Sequence, residues 1–237
     1  AETERSVFAF TPPPPFAPDP VRIEQFAERL QSARRRVIVA GGGVVAAGAS
    51  EALQMLAETL DVPVITTVDG RGAIPEDHPL CIGNYYQSAG IYQSIADADL
   101  TLAIGTRFAV GVDGQGARFT PPGDLLQIDI DPNMIGRTHR AAPGLAADAR
   151  LALEAINKAL VDVSVNDGQF NDTVFEARDG VHTAMRRRLG ADYPRIMDLM
   201  RDRLPRDGLL VRDQTIAAYN FGNQLFPIYE PRTSMNP

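Results

Sequence analysis

The stretch Arg36-Val-Ile-Val-Ala-Gly-Gly-Gly43 decides the fold, because a short apolar run ends directly on three glycines. Such a run is typical of a strand that is buried on both faces, and strands of this kind occur mainly in parallel sheets covered by helices. The glycines predict a tight turn, and a helix is predicted after it at Ser50–Leu60. A strand that leads through a turn into a helix indicates an α/β domain.

The same alternation continues along the chain. Further strands are predicted at Asp61–Thr67, Leu100–Ile104 and Leu125–Ile130, and helices near Val21–Leu30, Ile91–Ala98 and Asp148–Leu160. Because crossovers between parallel strands are right-handed, this order predicts a Rossmann-like doubly wound parallel sheet over residues 21–160, in a three-layer α/β/α arrangement.

The two ends of the chain differ from this domain in composition and in the pattern of apolar residues. Residues 1–20 include the tract Thr11–Pro20 with four consecutive prolines, which favours polyproline II and predicts a linker that follows another domain. Residues 161–237 predict a polar connector, two helices that include Arg186–Arg188 and Arg195–Leu204, and a strand at Gly208–Asp213. The tail from Phe226 is expected to be loop-like, so this part is interpreted as the truncated beginning of a second α/β domain.

Charge and composition exclude several classes of function. The formal net charge of -7 and the pI near 5.0 argue against a nucleic-acid partner or an anionic membrane surface, since both need basic residues. The longest apolar runs are strand-sized, so no membrane partner is expected. The only cysteine, Cys81, is interpreted as a small buried side chain, and a cytoplasmic location is the default.

Glycines at the end of the first strand are the first candidate binding feature. Gly41, Gly42 and Gly43 could let the backbone approach a pyrophosphate and direct N–H groups at it. The third position of a dinucleotide fingerprint falls on Ala46, however, and a tight turn without a ligand is an equal alternative.

Two further candidates follow later strands. Arg107 stands just past the strand that ends at Ile104, where it could contact a phosphate, stack on an adenine ring, or pair with a neighbouring carboxylate. Asp129 ends the next strand and could accept hydrogen bonds from ribose hydroxyls, whereas Asp131 before Pro132 is equally well explained as a turn residue. No nucleophile–base pair stands out, and Asp113 and Asp124 are interpreted as turn residues.

An ordered series of short motifs resembles a known family. Its members include Gly41-Gly-Gly43, Val62-Pro-Val-Ile-Thr-Thr67, Gly70-Arg-Gly-Ala-Ile-Pro-Glu-Asp-His-Pro-Leu80, Ala98-Asp-Leu100, Ile104-Gly-Thr-Arg-Phe108 and Gln127-Ile-Asp-Ile-Asp-Pro132. Over about residues 15–160 the chain resembles the central domain of thiamine-diphosphate enzymes, in the group of acetolactate synthase, benzoylformate decarboxylase and oxalyl-CoA decarboxylase. The Gly70–Leu80 stretch is the most specific of these motifs.

The resemblance implies an enzyme that decarboxylates a 2-keto acid or joins it to a second carbonyl, with thiamine diphosphate and Mg²⁺ as cofactors and a homodimer or tetramer as the assembly. It also implies a pyrimidine-binding domain before residues 1–20 and a pyrophosphate-binding domain that begins within residues 161–237. The motif that holds magnesium and diphosphate does not occur here, so the fragment alone is expected to be inactive, and Gln214 and Thr215 are only weak cofactor candidates.

Relatives carry FAD or ADP in the central domain, and the resemblance assigns such contacts to Gly41, Gly42, Arg107, Asp129, Ile130 and Asp148. Flavin-binding relatives have Arg-Phe-Asp-Asp-Arg where this chain has Arg107-Phe-Ala-Val-Gly111, and a Met-His-Gly loop where it has Asn84-Tyr-Tyr86. These departures count against flavin and leave an ADP-type or empty site as the alternative.

Two other functions remain open at this point. An NAD-dependent oxidoreductase would need a complete glycine fingerprint and an acidic residue after the second strand, but Ala46 and Thr66-Thr67 occupy those positions. A non-catalytic scaffold module that uses the fold for subunit contacts is the third hypothesis.

Overall fold

A computed structural model of the chain describes residues 15–85, 88–108, 119–161, 163–213 and 222–235. Six parallel strands form one sheet in the order β3-β2-β1-β4-β5-β6. They are β1 (Arg36–Ala40), β2 (Val64–Thr66), β3 (Cys81–Gly83), β4 (Leu100–Ile104), β5 (Asp124–Asp129) and β6 (Gly144–Ala146). This strand order is that of dinucleotide-binding folds, so the predicted Rossmann-like doubly wound sheet is confirmed.

Helices cover both faces of the sheet, as the three-layer prediction requires. On one face α1 (Pro20–Ser32), α3 (Ser50–Leu60) and α5 (Ala149–Ala159) pack over a core that includes Phe26, Leu53 and Ile156. On the other face α4 (Ala89–Ser94) and α6 (Gly168–Leu189) pack over a core that includes Val37, Ile65 and Ile91. The one-turn helix α2 (Gly42–Ala46) lies at the carboxyl end of β1. Among the described residues, no helix has the length and apolar character needed to cross a bilayer.

In the sequence, Asp19 and Pro20 predict the start of α1, and Val21, Phe26 and Leu30 predict one shared face; the start is confirmed, and the face only in part. Asp19 caps the helix by accepting a hydrogen bond from the Val21 N–H at 3.0 Å, and Pro20 occupies the first helical position. Ile23, Phe26 and Leu30 are buried, whereas Val21 is exposed, so the predicted face was wrong at Val21. Residues that share a helix face are three or four positions apart, and Val21 is five positions from Phe26.

The polar connector before α6 is held by buried side chains. The Arg36 N–H donates to Asn166 Oδ1 at 2.8 Å, and Asn166 Nδ2 donates to the Arg36 carbonyl at 3.1 Å. The Arg36 guanidinium is buried and donates to the carbonyls of Leu30 at 2.6 Å and Ser164 at 3.0 Å. A weak apolar pattern in the connector is therefore compensated by hydrogen bonds to the start of β1.

A small second unit follows the main sheet. It contains α7 (Asp192–Arg203) and the two parallel strands β7 (Leu210–Val211) and β8 (Ser234–Met235), with Met197, Phe226 and Ile228 in its core. The prediction that the tail lacks a further element was wrong at β8. That strand is two residues long and forms only because β7 offers its edge, which no local pattern reveals.

Candidate functional site

The predicted candidates gather along the carboxyl edge of the sheet, which is called the crest below (residues 41–48, 105–108, 129–140 and 147–148). Gly41, Gly42 and Gly43 follow β1, Arg107 follows β4, Asp129 ends β5, Ile130 comes next, and Asp148 follows β6. In the register of the sheet Ala40 lies beside Ile104, and Ile104 beside Ile128. The turns after β1, β4 and β5 are therefore neighbours, and the strand order reverses between β1 and β4.

The glycine turn is packed against the turn after β4. The Gly41 N–H donates to the Ile104 carbonyl at 2.8 Å, and the Gly43 N–H donates to the Gly105 carbonyl at 3.0 Å. A Cβ on Gly43 would lie 2.6 Å from the Gly105 Cα, and one on Gly42 would lie 3.0 Å from the Asp69 Cβ. Close backbone approach thus accounts for these glycines, and two N–H groups that a pyrophosphate would need are engaged within the protein. The geometry favours the tight-turn alternative, and cofactor binding by the three glycines stays a prediction.

Arg107 is next to a group of packed aromatic side chains. Its side chain is exposed, and its carbonyl accepts a hydrogen bond from Thr138 Oγ1 at 3.3 Å. Phe108 stacks on Phe119 at 6.3 Å between centroids and meets the edge of His139 at 5.1 Å. Burial lowers the pKa of His139, so this ring is neutral at pH 7. The crest therefore presents an exposed guanidinium next to an uncharged, largely apolar surface.

The end of β5 supplies a carboxylate and an exposed aliphatic side chain. Asp129 is buried, and its Oδ1 accepts a hydrogen bond from the Asp131 N–H at 3.0 Å. Ile130 is 58% exposed. Asp131 Oδ1 accepts hydrogen bonds from the Asn133 backbone and side chain, both at 2.9 Å, which confirms that Asp131 is a turn residue.

The same hydrogen bonds set the charge state of Asp131. The backbone N–H of Asn133 is the main reason that the pKa of the Asp131 carboxyl lies below its usual value, and the Asn133 side chain adds to the effect. The charges of Arg107 and Arg137 lower it further. Arg107 and Arg137 therefore lie within electrostatic reach of the Asp131 carboxylate.

Gln127 organises the crest, although the sequence assigned it no role. This buried side chain donates to the carbonyls of Thr106 at 3.4 Å and Met134 at 3.3 Å, and it accepts from the Gly136 N–H at 2.9 Å. It therefore ties the loop that carries Arg107 to the loop that carries Ile130. A polar residue in the middle of the apolar strand Leu125–Ile130 was the available signal.

Asp148 acts as a helix cap. Its Oδ1 accepts hydrogen bonds from the N–H groups of Arg150 at 3.0 Å and Leu151 at 3.1 Å, at the start of α5. Both contacts stay within its own helix, so the geometry explains Asp148 without a ligand. Its predicted cofactor contact stays a prediction.

A second polar centre lies where the Gly70–Leu80 stretch meets the second unit. The Arg71–Glu76 ion pair there is buried and contacts residues 222–228, and Asn84 Nδ2 donates to the Asn223 carbonyl at 3.2 Å. The sequence did not predict this centre because its two halves are about 150 positions apart. Gln214, Thr215, Tyr86, Gly111 and Asp113 lie outside the described residues. Within the described ranges, no three His, Cys, Asp or Glu side chains are placed to hold a metal ion.

Comparison with known proteins gives a consistent result. A family model described as "Thiamine pyrophosphate enzyme, central domain" matches residues 23–156. A probable acetolactate synthase large subunit from Methanocaldococcus jannaschii is 37% identical over 150 residues, which are 62% of this chain and 25% of that protein. A probable 2-ketoarginine decarboxylase from Pseudomonas aeruginosa is 37% identical over 211 residues, which are 89% of this chain and 37% of that protein.

Among solved structures, benzoylformate decarboxylase from Polynucleobacter necessarius superimposes with a TM-score of 0.68 at 22% identity, over 99% of this chain and 43% of that chain. At this identity the match supports the fold. The chain thus spans between a quarter and about two fifths of the length of these proteins. The resemblance noted in the ordered motifs of the sequence is confirmed.

Proposed function

The chain belongs to the thiamine pyrophosphate enzymes, through a central domain at residues 23–156, and from this premise we propose that it is the central part of an enzyme that acts on a 2-keto acid. The supporting observation is the similarity to a probable 2-ketoarginine decarboxylase, which covers 89% of the chain and so extends beyond the central domain. The reaction is a decarboxylation, or a carboligation of the acetolactate synthase type.

The proposal also assigns a role to each of the three parts of the chain. Residues 1–20 act as a linker from a pyrimidine-binding domain, residues 21–160 are the central domain, and residues 161–237 are a connector and the beginning of the pyrophosphate-binding domain. Thiamine diphosphate supplies the electron sink for loss of carbon dioxide. We further propose that Mg²⁺ and thiamine diphosphate are bound by the pyrimidine-binding and pyrophosphate-binding domains of a homo-oligomeric, cytoplasmic enzyme.

A turnover assay tests this proposal. The polypeptide that carries this chain together with both flanking domains is incubated with pyruvate, glyoxylate or 2-ketoarginine, and carbon dioxide release is measured. We expect release from one 2-keto acid that requires both thiamine diphosphate and Mg²⁺, and none from residues 1–237 alone. Turnover by residues 1–237 alone, or turnover by the longer polypeptide without the cofactor, would contradict the assignment.

The crest carries a second proposal, that it binds an adenine nucleotide of the ADP type. Exposed Ile130 offers a surface for the adenine ring, Asp129 offers an acceptor at the end of β5, and Arg107 offers a cation for the phosphates. Flavin is disfavoured because Asn84, in the loop that faces the flavin in flavin-binding relatives, is buried and bonded to Asn223.

Equilibrium binding of ADP to the chain tests the nucleotide proposal. Arg107→Ala is expected to weaken binding about tenfold, because a hydrogen bond to a charged group contributes about 1.5 kcal/mol or more. Arg34→Ala removes an exposed cation just before β1, at the opposite edge of the sheet from the crest, and serves as the matched control. Equal affinities of the two variants would overturn the role of Arg107.

The NAD alternative has little support. The position that a dinucleotide fingerprint gives to its third glycine is Ala46, the last residue of the short helix α2. Thr66, which ends β2, is a buried hydroxyl residue and offers no carboxylate for a ribose.

A further inference from the structure

We propose that the outer face of α7 is a docking surface for a second copy of this chain, and that two α7 helices pair antiparallel across a two-fold axis. The contact is made by Asp192, Ile196, Leu199 and Arg203, which are called the seam. This inference names a surface for the homo-oligomer of the proposed function, and it does not depend on which reaction the enzyme catalyses.

The inner face of α7 is fixed within its own subunit. Met197 is buried and belongs to the same core as Phe226 and Ile228. Asp198 accepts hydrogen bonds from the Arg186 guanidinium at 3.0 and 2.6 Å, and this ion pair ties α7 to α6. Because both contacts hold the helix from one side, the direction of its opposite face is also set.

That opposite face is apolar and exposed. Ile196 is 49% exposed and Leu199 is 45% exposed, and Tyr193 and Met200 are exposed to a similar degree. Tyr193, Leu199 and Met200 lie three or four positions from Ile196, which is the spacing of side chains on one face of a helix. Neighbouring apolar side chains that stay exposed together mark a surface for contact with another molecule.

The seam has the spacing of a coiled coil. Its residues Asp192, Ile196, Leu199 and Arg203 are separated by four, three and four positions, which is the alternation of the a and d positions of a heptad. The two middle residues are aliphatic, the first is a carboxylate and the last is a guanidinium. The helix dipole favours these charges at the two ends of α7, but it does not require them to lie on the apolar face.

The order of residues in the seam matches an antiparallel pair. In such a pair the first turn of one helix lies beside the last turn of the other, so Asp192 meets the second copy's Arg203 at both ends. Ile196 meets the second copy's Leu199 in the middle. A contact across a two-fold axis needs a self-complementary surface of this kind. A parallel pair would place like charges together at both ends, which disfavours that arrangement.

Sedimentation velocity of the chain over a range of concentrations tests the proposal, because it gives the dissociation constant of the dimer. Ile196→Asp places a charge in the middle of the seam. Met55→Asp makes the same kind of change at an exposed apolar residue of α3 in the central domain and is the matched control. Asp192→Arg and Arg203→Asp each reverse one charge of the seam. They are studied separately, combined in one chain, and as a mixture of the two single variants.

We expect the unmodified chain to dimerise reversibly. Ile196→Asp should raise the dissociation constant about tenfold or more, because a carboxylate would be desolvated in an apolar contact, and Met55→Asp should leave it unchanged. Each single charge reversal should also weaken the dimer about tenfold or more, since like charges then meet at both ends. The combined variant and the mixture should recover most of the affinity, because every charged contact again joins opposite signs.

A chain that stays monomeric throughout the concentration range would overturn the proposal, and so would a dimer that none of the seam variants weakens. Coverage of the seam within one subunit is tested in the polypeptide that carries both flanking domains, by thiol labelling of the Leu199→Cys variant. Protection that does not change with protein concentration would assign the seam to its own subunit and would also contradict the pairing. None of these results alters the turnover assay, so failure of the pairing is distinguishable from failure of the proposed reaction.

Discussion

At the scale of the residue, glycines illustrate how one residue type serves different purposes in this chain. Gly43 faces the backbone of Gly105 so closely that no side chain fits, whereas Gly180 lies in the middle of α6, where a Cβ would have no other atom within 4 Å. The first glycine is required by packing between two turns of the crest. The second contributes only backbone freedom in the unfolded chain.

This contrast predicts that a change to alanine has opposite effects on stability at the two positions. Gly43→Ala is expected to destabilise the chain by about 2 kcal/mol or more, because the new methyl group forces the turns after β1 and β4 apart. Gly180→Ala is expected to stabilise it by about 1 kcal/mol, since alanine is the better helix former. Urea denaturation gives both free energies of unfolding. If Gly43→Ala left the free energy of unfolding unchanged, the turns after β1 and β4 would have room for a methyl group, and the tight-turn explanation would be wrong.

Single residues were predicted from the sequence where a local rule applied. Cys81 is buried as expected, and burial raises the pKa of its thiol, so it is an inert core side chain. Asp131 is the turn residue that its place before Pro132 indicated. Gln127 and Arg71 were not predicted, because their partners lie on other loops and such contacts leave no local pattern in the sequence.

At the scale of the element, the pattern of apolar residues determined the long strands and helices. The predicted bounds of Leu100–Ile104 and Ser50–Leu60 agree with β4 and α3, since each is a strongly patterned run with clear ends. The edge strands β3 and β6 were missed, because three residues each give no periodicity. Their pairing depends on the neighbours β2 and β5 that are already in place.

The cap of α5 gives a prediction that separates structure from ligand binding. Asp148→Ala should cost about 1 kcal/mol of stability, because the N–H groups of Arg150 and Leu151 lose their acceptor, whereas Asp148→Asn should cost little, since asparagine caps equally well. Thermal or urea unfolding measures the stability of both variants. If Asp148→Asn keeps the stability but loses ADP binding, the carboxylate has the ligand role that the geometry does not require.

The ion pair between α6 and α7 predicts how the stability of the chain depends on pH. The Arg186 guanidinium, bonded to Asp198 at 3.0 and 2.6 Å, lowers the pKa of the Asp198 carboxyl below its usual value of 3.8. The pair therefore adds stability above that value, and the contribution is lost as the pH falls through the lowered pKa. Because Asp198 is about half exposed, the contribution should be only about 0.5 kcal/mol.

The measurement is the free energy of unfolding between about pH 6 and pH 3, where the carboxyl groups titrate. Asp198→Asn should show a smaller loss of stability on acidification than the unmodified chain, and Asp202→Asn, on the same helix, should not. Equal acid sensitivity in all three proteins would mean that the Arg186–Asp198 pair contributes nothing to the contact between α6 and α7.

At the scale of the whole molecule, two bodies of unequal size are joined by polar contacts. The main sheet was predictable because its strands and helices alternate in sequence, and the position of the candidates on its carboxyl edge followed from the fold. The junction with the second unit was not predictable. It depends on Arg71 and Glu76 meeting residues 222–228, and neither stretch carries a local signal for the other.

Thermal unfolding with added ligands tests our proposal that the crest of this thiamine pyrophosphate enzyme domain binds an adenine nucleotide. The melting temperature of the chain is recorded with ADP, FAD, CoA, NAD and thiamine diphosphate added separately, since a ligand that binds only the folded state raises the midpoint. We expect a rise with ADP that is clearly smaller in the Arg107→Ala variant, in line with its roughly tenfold weaker binding. A rise with NAD alone, or none with any of the five, would contradict it.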